Sequence, residues 1–413
     1  MRRRGAAVGS RISRRKFLLG AGSAAAVLGL GACGPQPQVS PEPAPDEGVP
    51  EMPSQPVNLS IIDAAGNLQL TRTAIEDYER SHPDTVRNIN FTTAATAAEL
   101  TSEIQAQQDA SRVEIAIALT GVDGLSAGLE QGLWLTLIPN FEKAFPDLEQ
   151  NYINPAAQEL AQGQGVLISY GNFGPVFTYN PEKVPTAPRN TDELLTYTRE
   201  NPGQFMYARP ASSGPGRIFL MGLPYILGDP DPKDPETWNN TWSYLEQLDQ
   251  YIEYYPSQTA ATMEELGEGV RAILASSMGW DMNQRVVGTM PTNFEAFTLE
   301  STTLISDGHY ATIPSGLDAG RLAVALDLIA TLLQPEQQAL AYDNVYFYPG
   351  PAVTGVTPDM APEESQRAIA AVGRPRFDQL IETLPIETQL DATSLIRAFE
   401  IWDERIGGDK IRG

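Results

Sequence analysis

The chain has 413 residues, 42% of them hydrophobic and 19% charged, with a net charge of −24. That length accommodates two domains of ordinary size, each able to bury a core. The charge excludes a nucleic-acid partner, which needs a basic footprint, and a single cysteine excludes a fold held by internal disulfides.

Arg14 and Arg15 form a twin-arginine pair within Ser13-Arg-Arg-Lys-Phe-Leu18, followed by an Ala/Gly/Leu-rich run from Phe17 to Ala32. That run of 16 residues is broken by Gly20, Gly22, Ser23, Gly29 and Gly31, and falls short of the roughly 20 apolar residues that span a bilayer. A basic start, an apolar middle and a small residue before the cut are the parts of a cleaved export signal, and the arginine pair fits the twin-arginine route. Leu30-Gly31-Ala32-Cys33 is similar to a bacterial lipobox. The resemblance implies cleavage before Cys33, lipidation of its thiol, and a membrane anchor on the outer face of the cytoplasmic membrane. Residues 1–32 carry seven basic side chains and no acids, so the charge moves from −24 to −31 on their removal. Residues 33–56 are rich in Pro with Glu, Ser and Gln, the composition of an extended linker. No other apolar run approaches membrane-spanning length.

Val57–Asp63 alternates as a strand does and runs into Ala64-Ala65-Gly66-Asn67. Residues 68–81 have helical spacing, 88–93 read as a strand, 97–108 as a helix and 113–119 as a buried strand. Thr120–Ser126 then opens another helix. Such alternation predicts an α/β domain with a mostly parallel sheet. Ligands of such sheets bind at the carboxyl ends of the strands, which places Gly66, Asn67, Thr120, Gly121 and Asp123 at a candidate mouth. Farther on, 166–170 and 176–179 read as strands, and Asp192–Glu200 as a helix capped by Asn190 or Thr191. A short strand at Phe205–Ala208 leads through Arg209–Arg217 into a helix from Ile218. Residues 238–254 and 261–275 read as helices, 276–281 as a loop, and 303–306 and 310–313 as strands. From Asp318 the pattern is mostly helical, broken at 346–351. Together these predict two α/β lobes, with the chain crossing near 166–176 and returning near 296–306.

The run YGNFGPVFTYNPEKVPTAPRNTDELLTY (170–197) resembles the crossover segment of the extracellular solute-binding proteins of ABC importers. LDLIATLLQPEQQALAY (326–342) resembles a helix near the C-terminal part of those proteins. The likeness covers about 57–405 and is closest to family 1, whose members bind thiamine, polyamines, iron or oxyanions. It implies a two-lobe periplasmic-binding-protein-like fold of type II, each lobe a mixed sheet flanked by helices, with the ligand cleft between them. Lobe 1 is expected from 57–169 with about 297–330. Lobe 2 is expected from 170–296 with about 331–413. The implied function is hinge closure on a small polar solute, anionic or zwitterionic, and its delivery to ABC permease subunits. A monomer without a cofactor or resident metal is expected.

Arg209-Pro-Ala-Ser-Ser-Gly-Pro-Gly-Arg217 is the best ligand candidate on chemical grounds. Ser212 and Ser213 offer hydroxyls, Gly214 and Gly216 allow close backbone approach, and the following helix presents free N–H groups to an anion. Arg217 adds a bidentate contact. An ordinary capped helix start uses the same residues and stays open as an alternative. Trp280 beside Asp281 suits a cationic or sugar-like ligand, or else is a half-buried tryptophan next to a surface acid. Tyr170 and Asn172 sit at the crossover and line a cleft there. Tyr310 is a further lining candidate, although aromatic residues so placed also serve cores. Catalysis is not expected. The only histidines are His82 and His309, and the Asp307/His309 spacing alone is weak metal-site grammar. The nucleophile elbow, Walker loop and Rossmann glycine patterns are all missing. A tethered hydrolase using Asp281 and Asp307, or a sensory partner of a membrane kinase, remain the other two readings.

Overall fold

A computed structural model describes residues 48–145, 148–373 and 375–412. The twin-arginine stretch, the lipobox with Cys33 and residues 34–47 of the linker lie outside the described residues. Residues 48–56 contain neither helix nor strand, and no helix among the described residues is long and apolar enough to cross a membrane.

Strand β1 (Val57–Asp63), helix α1 (Leu68–Ser81), strand β2 (Val86–Thr93), helix α2 (Ala97–Asp109), strand β3 (Ile115–Thr120) and helix α3 (Val122–Glu130) follow in order. β1 pairs in parallel with both β2 and β3, as right-handed β-α-β crossovers require. Thr96 accepts from the Glu99 N–H while Glu99 accepts from the Ala95 N–H, a reciprocal cap that starts α2. After two short helical turns at Leu148–Asn151 and Pro155–Glu159 comes β4 (Val166–Gly174), which leads through Pro175 directly into β5 (Val176–Tyr179).

The following elements are α4 (Thr191–Glu200), β6 (Phe205–Met206), α5 (Gly214–Leu227), α6 (Asn239–Asp249), β7 (Tyr255–Pro256), α7 (Thr259–Gly267) and β8 (Ile273–Ser276). After them come α8 (Met278–Val286), β9 (Glu295–Phe297), β10 (Leu304–Thr312) and α9 (Ala319–Leu332). Short strands β11 (Pro349–Gly350), β12 (Ile386–Glu387) and β13 (Ile411–Arg412) are interspersed with α10 (Glu363–Val372), α11 (Pro375–Thr383) and α12 (Ala392–Trp402).

The larger sheet has the order β11-β4-β10-β3-β1-β2, with β12 beside β10, and the smaller one β6-β8-β5-β9. β10 runs antiparallel to β3 and β4, and β8 is antiparallel to β5 but parallel to β6, so both sheets are mixed. The chain leaves the larger sheet at Gly174-Pro175 and returns between β9 and β10. Two cores form, one on one face of the larger sheet and one that runs from its other face to the smaller sheet. Leu59, Ile61, Ile117 and Leu119 meet Ile75 and Tyr78 of α1 and Leu326 and Ile329 of α9. On the other side Phe177, Phe205, Tyr207 and Phe219 form a chain of ring contacts that reaches Tyr255 and Trp402. Aromatic pairs of this kind add stability beyond their buried area.

Several sequence expectations are corrected. The two strands expected at 303–306 and 310–313 are one continuous β10, because Asp307, Gly308 and His309 keep their ladder to β4 through two register shifts. Their polarity mimics a loop in the sequence. Residues 238–254 contain α6, whereas 261–275 contain only the rest of α7 and then β8, an apolar Ile-Leu-Ala run that short-range pattern does not separate from helix. Trp280 and Asp281 lie in the first turns of α8, not in a loop.

Candidate ligand cleft

Six helices begin at one cleft of about 290 Å³. On the larger-sheet side it is lined by Ala64, Ala65 and Gly66 before α1, Ala95 before α2, and Gly121 and Asp123 at the start of α3. Facing them are Ser212, Gly214 and Arg217 around the start of α5, Gln258–Ala260 at α7, and Trp280 in α8. Asn172, Asp307 and His309 from β4 and β10 form the floor, and Tyr346 and Phe347 complete the wall. The convergence follows from topology. Helices that follow parallel strands begin at the strands' carboxyl ends, and each brings unpaired N–H groups and a positive dipole end.

Besides the capped α2, three of these helix starts are already satisfied in part from within. The Asp63 carboxylate accepts from the N–H groups of Ala65, Asn67 and Leu68 at 2.9, 3.1 and 2.8 Å. Asn172, held at a φ of 50°, accepts from the Gly279 N–H at 3.2 Å. Ser213 caps α5 through the Gly216 N–H and its hydroxyl pairs with Thr259 at 2.7 Å, tying α5 to α7.

Behind the floor lies a buried polar network. Asn67 Nδ2 donates to Ser169 Oγ and to His309 Nδ1, both at 3.1 Å, while Asn67 Oδ1 accepts from Thr71 Oγ1 at 2.8 Å. Nδ1 of His309 is therefore an acceptor, and the ring rests 4.1 Å from the Phe347 ring. Burial pushes this imidazole down from 6.5 to about 4, against the pull of Asp63 and Asp123 and with a further push from Arg217. The ring is neutral at pH 7. Asp307 is 4% exposed, and its carboxyl is raised by burial, opposed by Arg217, the Gly308 N–H and Gln389.

A pH dependence follows from His309. Between pH 6.5 and about 4 the unfolded chain takes up a proton on this ring that the folded chain refuses. Stability falls as pH drops through that window, by ~3 kcal/mol at about 1.4 kcal/mol per pH unit. Above pH 6.5 the ring contributes nothing to the slope. Asp307 acts in the opposite sense, because its raised carboxyl protonates earlier in the folded state. In His309→Gln the histidine share disappears. Urea unfolding at pH 7 and pH 4.5 is expected to show a smaller acid loss in the variant, and equal losses would refute the assignment.

Arg217 has the most unusual environment. It is 4% exposed and sits in the first turn of α5. Its Nη1 lies 3.4 Å from Asp123 Oδ1 and its Nη2 lies 3.8 Å from Asp307 Oδ1. Its Nε is buried with no hydrogen-bond partner. Buried polar groups are almost always hydrogen-bonded, and exceptions need an explanation.

The structure brings together Gly66, Gly121, Asp123, Asn172, Ser212, Gly214, Arg217 and Trp280 of the ligand-binding residues singled out in the sequence. It places the others behind the surface. Asn67 belongs to the network just described. Thr120 is buried, with its hydroxyl on the Gly121 carbonyl. Tyr170 accepts from Asn154 at 2.8 Å and Tyr310 donates to the Ala157 carbonyl at 2.6 Å, both inside the core. Ser213 spends its hydroxyl on α5 and Thr259. Asp281 is fully buried and paired with Arg285 at 2.7 Å, so the carboxylate pair of the hydrolase reading does not meet in the cleft. The sequence reading missed Gln258–Ala260 and Phe347, and it did not place His309 in a cleft. For His309 a signal existed, namely three polar or small residues interrupting an apolar strand. Among the described residues no three His, Cys, Asp or Glu side chains are grouped to hold a metal.

Solved structures share this fold at low identity. An ABC transporter structure from Clostridium perfringens aligns with a TM-score of 0.61 at 14% identity, covering 83% of this chain and 97% of that one. The periplasmic binding protein AfuA of Actinobacillus pleuropneumoniae, with fructose-6-phosphate bound, aligns at 0.59 and 15% identity, covering 84% and 98%. The spermidine/putrescine ABC transporter substrate-binding protein PotD of Streptococcus pneumoniae aligns at 0.54 and 15%, covering 84% and 99%. In sequence, protein YnjB of Escherichia coli (strain K12) is 25% identical over 274 residues, 61% of this chain and 68% of its own length. Residues 73–371 match the family of bacterial extracellular solute-binding proteins, and the chain belongs to that family.

Proposed function

We propose that this protein is the receptor of an ABC importer, anchored to the outer face of the membrane through Cys33, and that it captures an anionic or zwitterionic solute. The observation that carries the ligand class is Arg217, a buried guanidinium at a helix start whose Nε has no partner. A carboxylate, phosphate or phosphonate in the cleft satisfies it in the bidentate geometry that arginine favours. The first-turn N–H groups of α3 and α7 and the Gly214 N–H lie at the same cleft. Solved neighbours described as ABC transporter components support the importer setting, and the signal and lipobox support the anchor. Closure would use the two inter-sheet passages, Gly174–Val176 and residues 298–303, as hinges.

The test is a thermal-shift panel of phosphates, carboxylates, amino acids, polyamines and sugars. A solute present at 100 times its Kd adds about 2.7 kcal/mol of stability, a shift of a few degrees. Shifts are expected from compounds with an anionic group, and Arg217→Gln is expected to lose them. A response to polyamines alone, unchanged in Arg217→Gln, would refute the anionic class.

A further inference from the structure

Arg217 faces two carboxylates that are not equivalent. Asp307 is held from its own side of the fold, accepting from the Gly308 N–H at 2.9 Å and from Gln389 Nε2 at 2.6 Å. The Asp123 carboxylate has no hydrogen bond among the described residues, and its one ionic contact is Arg217. At 3.4 Å that contact is longer than the 2.7–2.9 Å of a charge-assisted hydrogen bond. The pair also bridges the cleft, with Asp123 on α3 of the larger-sheet side and Arg217 on α5 of the other. The Asp123 side chain is 19% exposed against 5% for the Arg217 side chain, so solvent and solute reach the acid first.

We infer that Asp123 occupies on Arg217 the place that a solute's anionic group would take, and that it selects zwitterions over plain anions. The inference rests on Arg217 being the anion's partner. When a ligand anion takes the guanidinium, Asp123 loses its counter-charge and faces a like charge at close range. The wall then holds Asp123, Asp307 and the ligand anion against one guanidinium, with His309 neutral. Like charges so placed are unfavourable in a site partly shielded from water. A ligand that brings its own ammonium group supplies Asp123 with a new partner, and the exchange leaves every charge paired. A plain anion offers no such compensation. Arg217 thus decides that an anion enters, and Asp123 decides that it arrives with a cation attached.

The experiment is calorimetric titration of the chain, its Asp123→Asn and Asp123→Ser variants, and the Asp123→Asn/Arg217→Gln double variant. The probes are inorganic phosphate and phosphoethanolamine, which differ by an ammonium arm. The natural sequence is expected to bind phosphate at least tenfold more weakly than either Asp123 variant does, and to prefer phosphoethanolamine. Asp123→Asn is expected to remove that preference. Two substitutions at a partly exposed position guard against a folding defect in one of them. If neither variant gains phosphate affinity, the inference fails while the role of Arg217 stands on the panel above. If the gain appears and survives Arg217→Gln, the assignment of Arg217 fails instead.

Discussion

Asp281→Ala is expected to lower stability by about 3–5 kcal/mol, the cost of stranding one member of a buried ion pair. Asp281 is fully buried and lies one helical turn from Arg285, with 2.7 Å between Oδ1 and Nη2. Thr178 of β5 also donates to Oδ1 at 2.8 Å, and Arg285 Nη1 reaches the Pro291 carbonyl at 3.1 Å. The carboxylate therefore fastens α8 to the small sheet and, through Arg285, to the segment before β9. Truncation leaves a guanidinium at 2% exposure without its counter-charge. Asp281→Asn keeps a hydrogen-bond acceptor and is expected to cost less. Replacing both residues by leucine is expected to recover part of the loss, since desolvation opposes the pair as well as the isolated charge. Urea denaturation of the three variants checks this. A loss below 1 kcal/mol in Asp281→Ala would show that the pair is not structural.

The parts of the fold that were readable in the sequence are those with local causes. β1 to α3 alternate in period and are punctuated by loops at the strand ends, and the crossings between sheets follow from strands on either side of Gly174-Pro175 and around residue 300. The cleft was readable in position for the same reason, because helix starts after parallel strands mark a mouth. Side-chain direction was not readable. Thr120 and Asp123 are three residues apart, yet one is buried behind the surface and the other lines it. Asn67 and Gly66 are neighbours, and only Gly66 reaches the cleft. Which member of such a pair faces outward depends on the turn between strand and helix. Gln258–Ala260 and Phe347 were missed because their approach is set by distant partners, such as the Ser212 hydroxyl on the Ser257 carbonyl at 2.6 Å and the Gly171 backbone beneath Phe347. Asp281 and Arg285 did carry a readable signal, an acid and a base at i and i+4 among apolar neighbours. The Ser-Ser and Gly residues before Trp280 mask it, because they read as a loop although α8 begins at Met278.

Gly279→Ala is expected to weaken solute binding by at least tenfold and to cost about 1–3 kcal/mol, the range for overpacking a filled site. A Cβ on Gly279 would overlap the Tyr346 carbonyl oxygen and stand 2.9 Å from Asn172 Oδ1 and 3.0 Å from the Tyr348 nitrogen. Two of those three neighbours are backbone, so no rotamer change relieves the clash. The segment cannot retreat cheaply either. Asn344 and Val345 sit at φ of 48° and 50°, a region a β-branched residue rarely adopts, and Asn283 Nδ2 holds the Asn344 carbonyl at 3.0 Å. Backbone in such conformations persists only where its surroundings over-determine it. What it holds in place is Tyr346, whose ring meets Trp280 at 5.7 Å and whose hydroxyl donates to the Ala65 carbonyl at 3.4 Å across the cleft. Displacing it moves the aromatic wall away from both sides at once. Gly48→Ala, where nothing lies within 4 Å of the added carbon, is the control and is expected to match the natural sequence. Calorimetry with the strongest solute of the panel separates the outcomes. Lower stability with unchanged affinity would show that segment 343–348 supports the fold without shaping the cleft, and a joint loss would make it part of the binding surface.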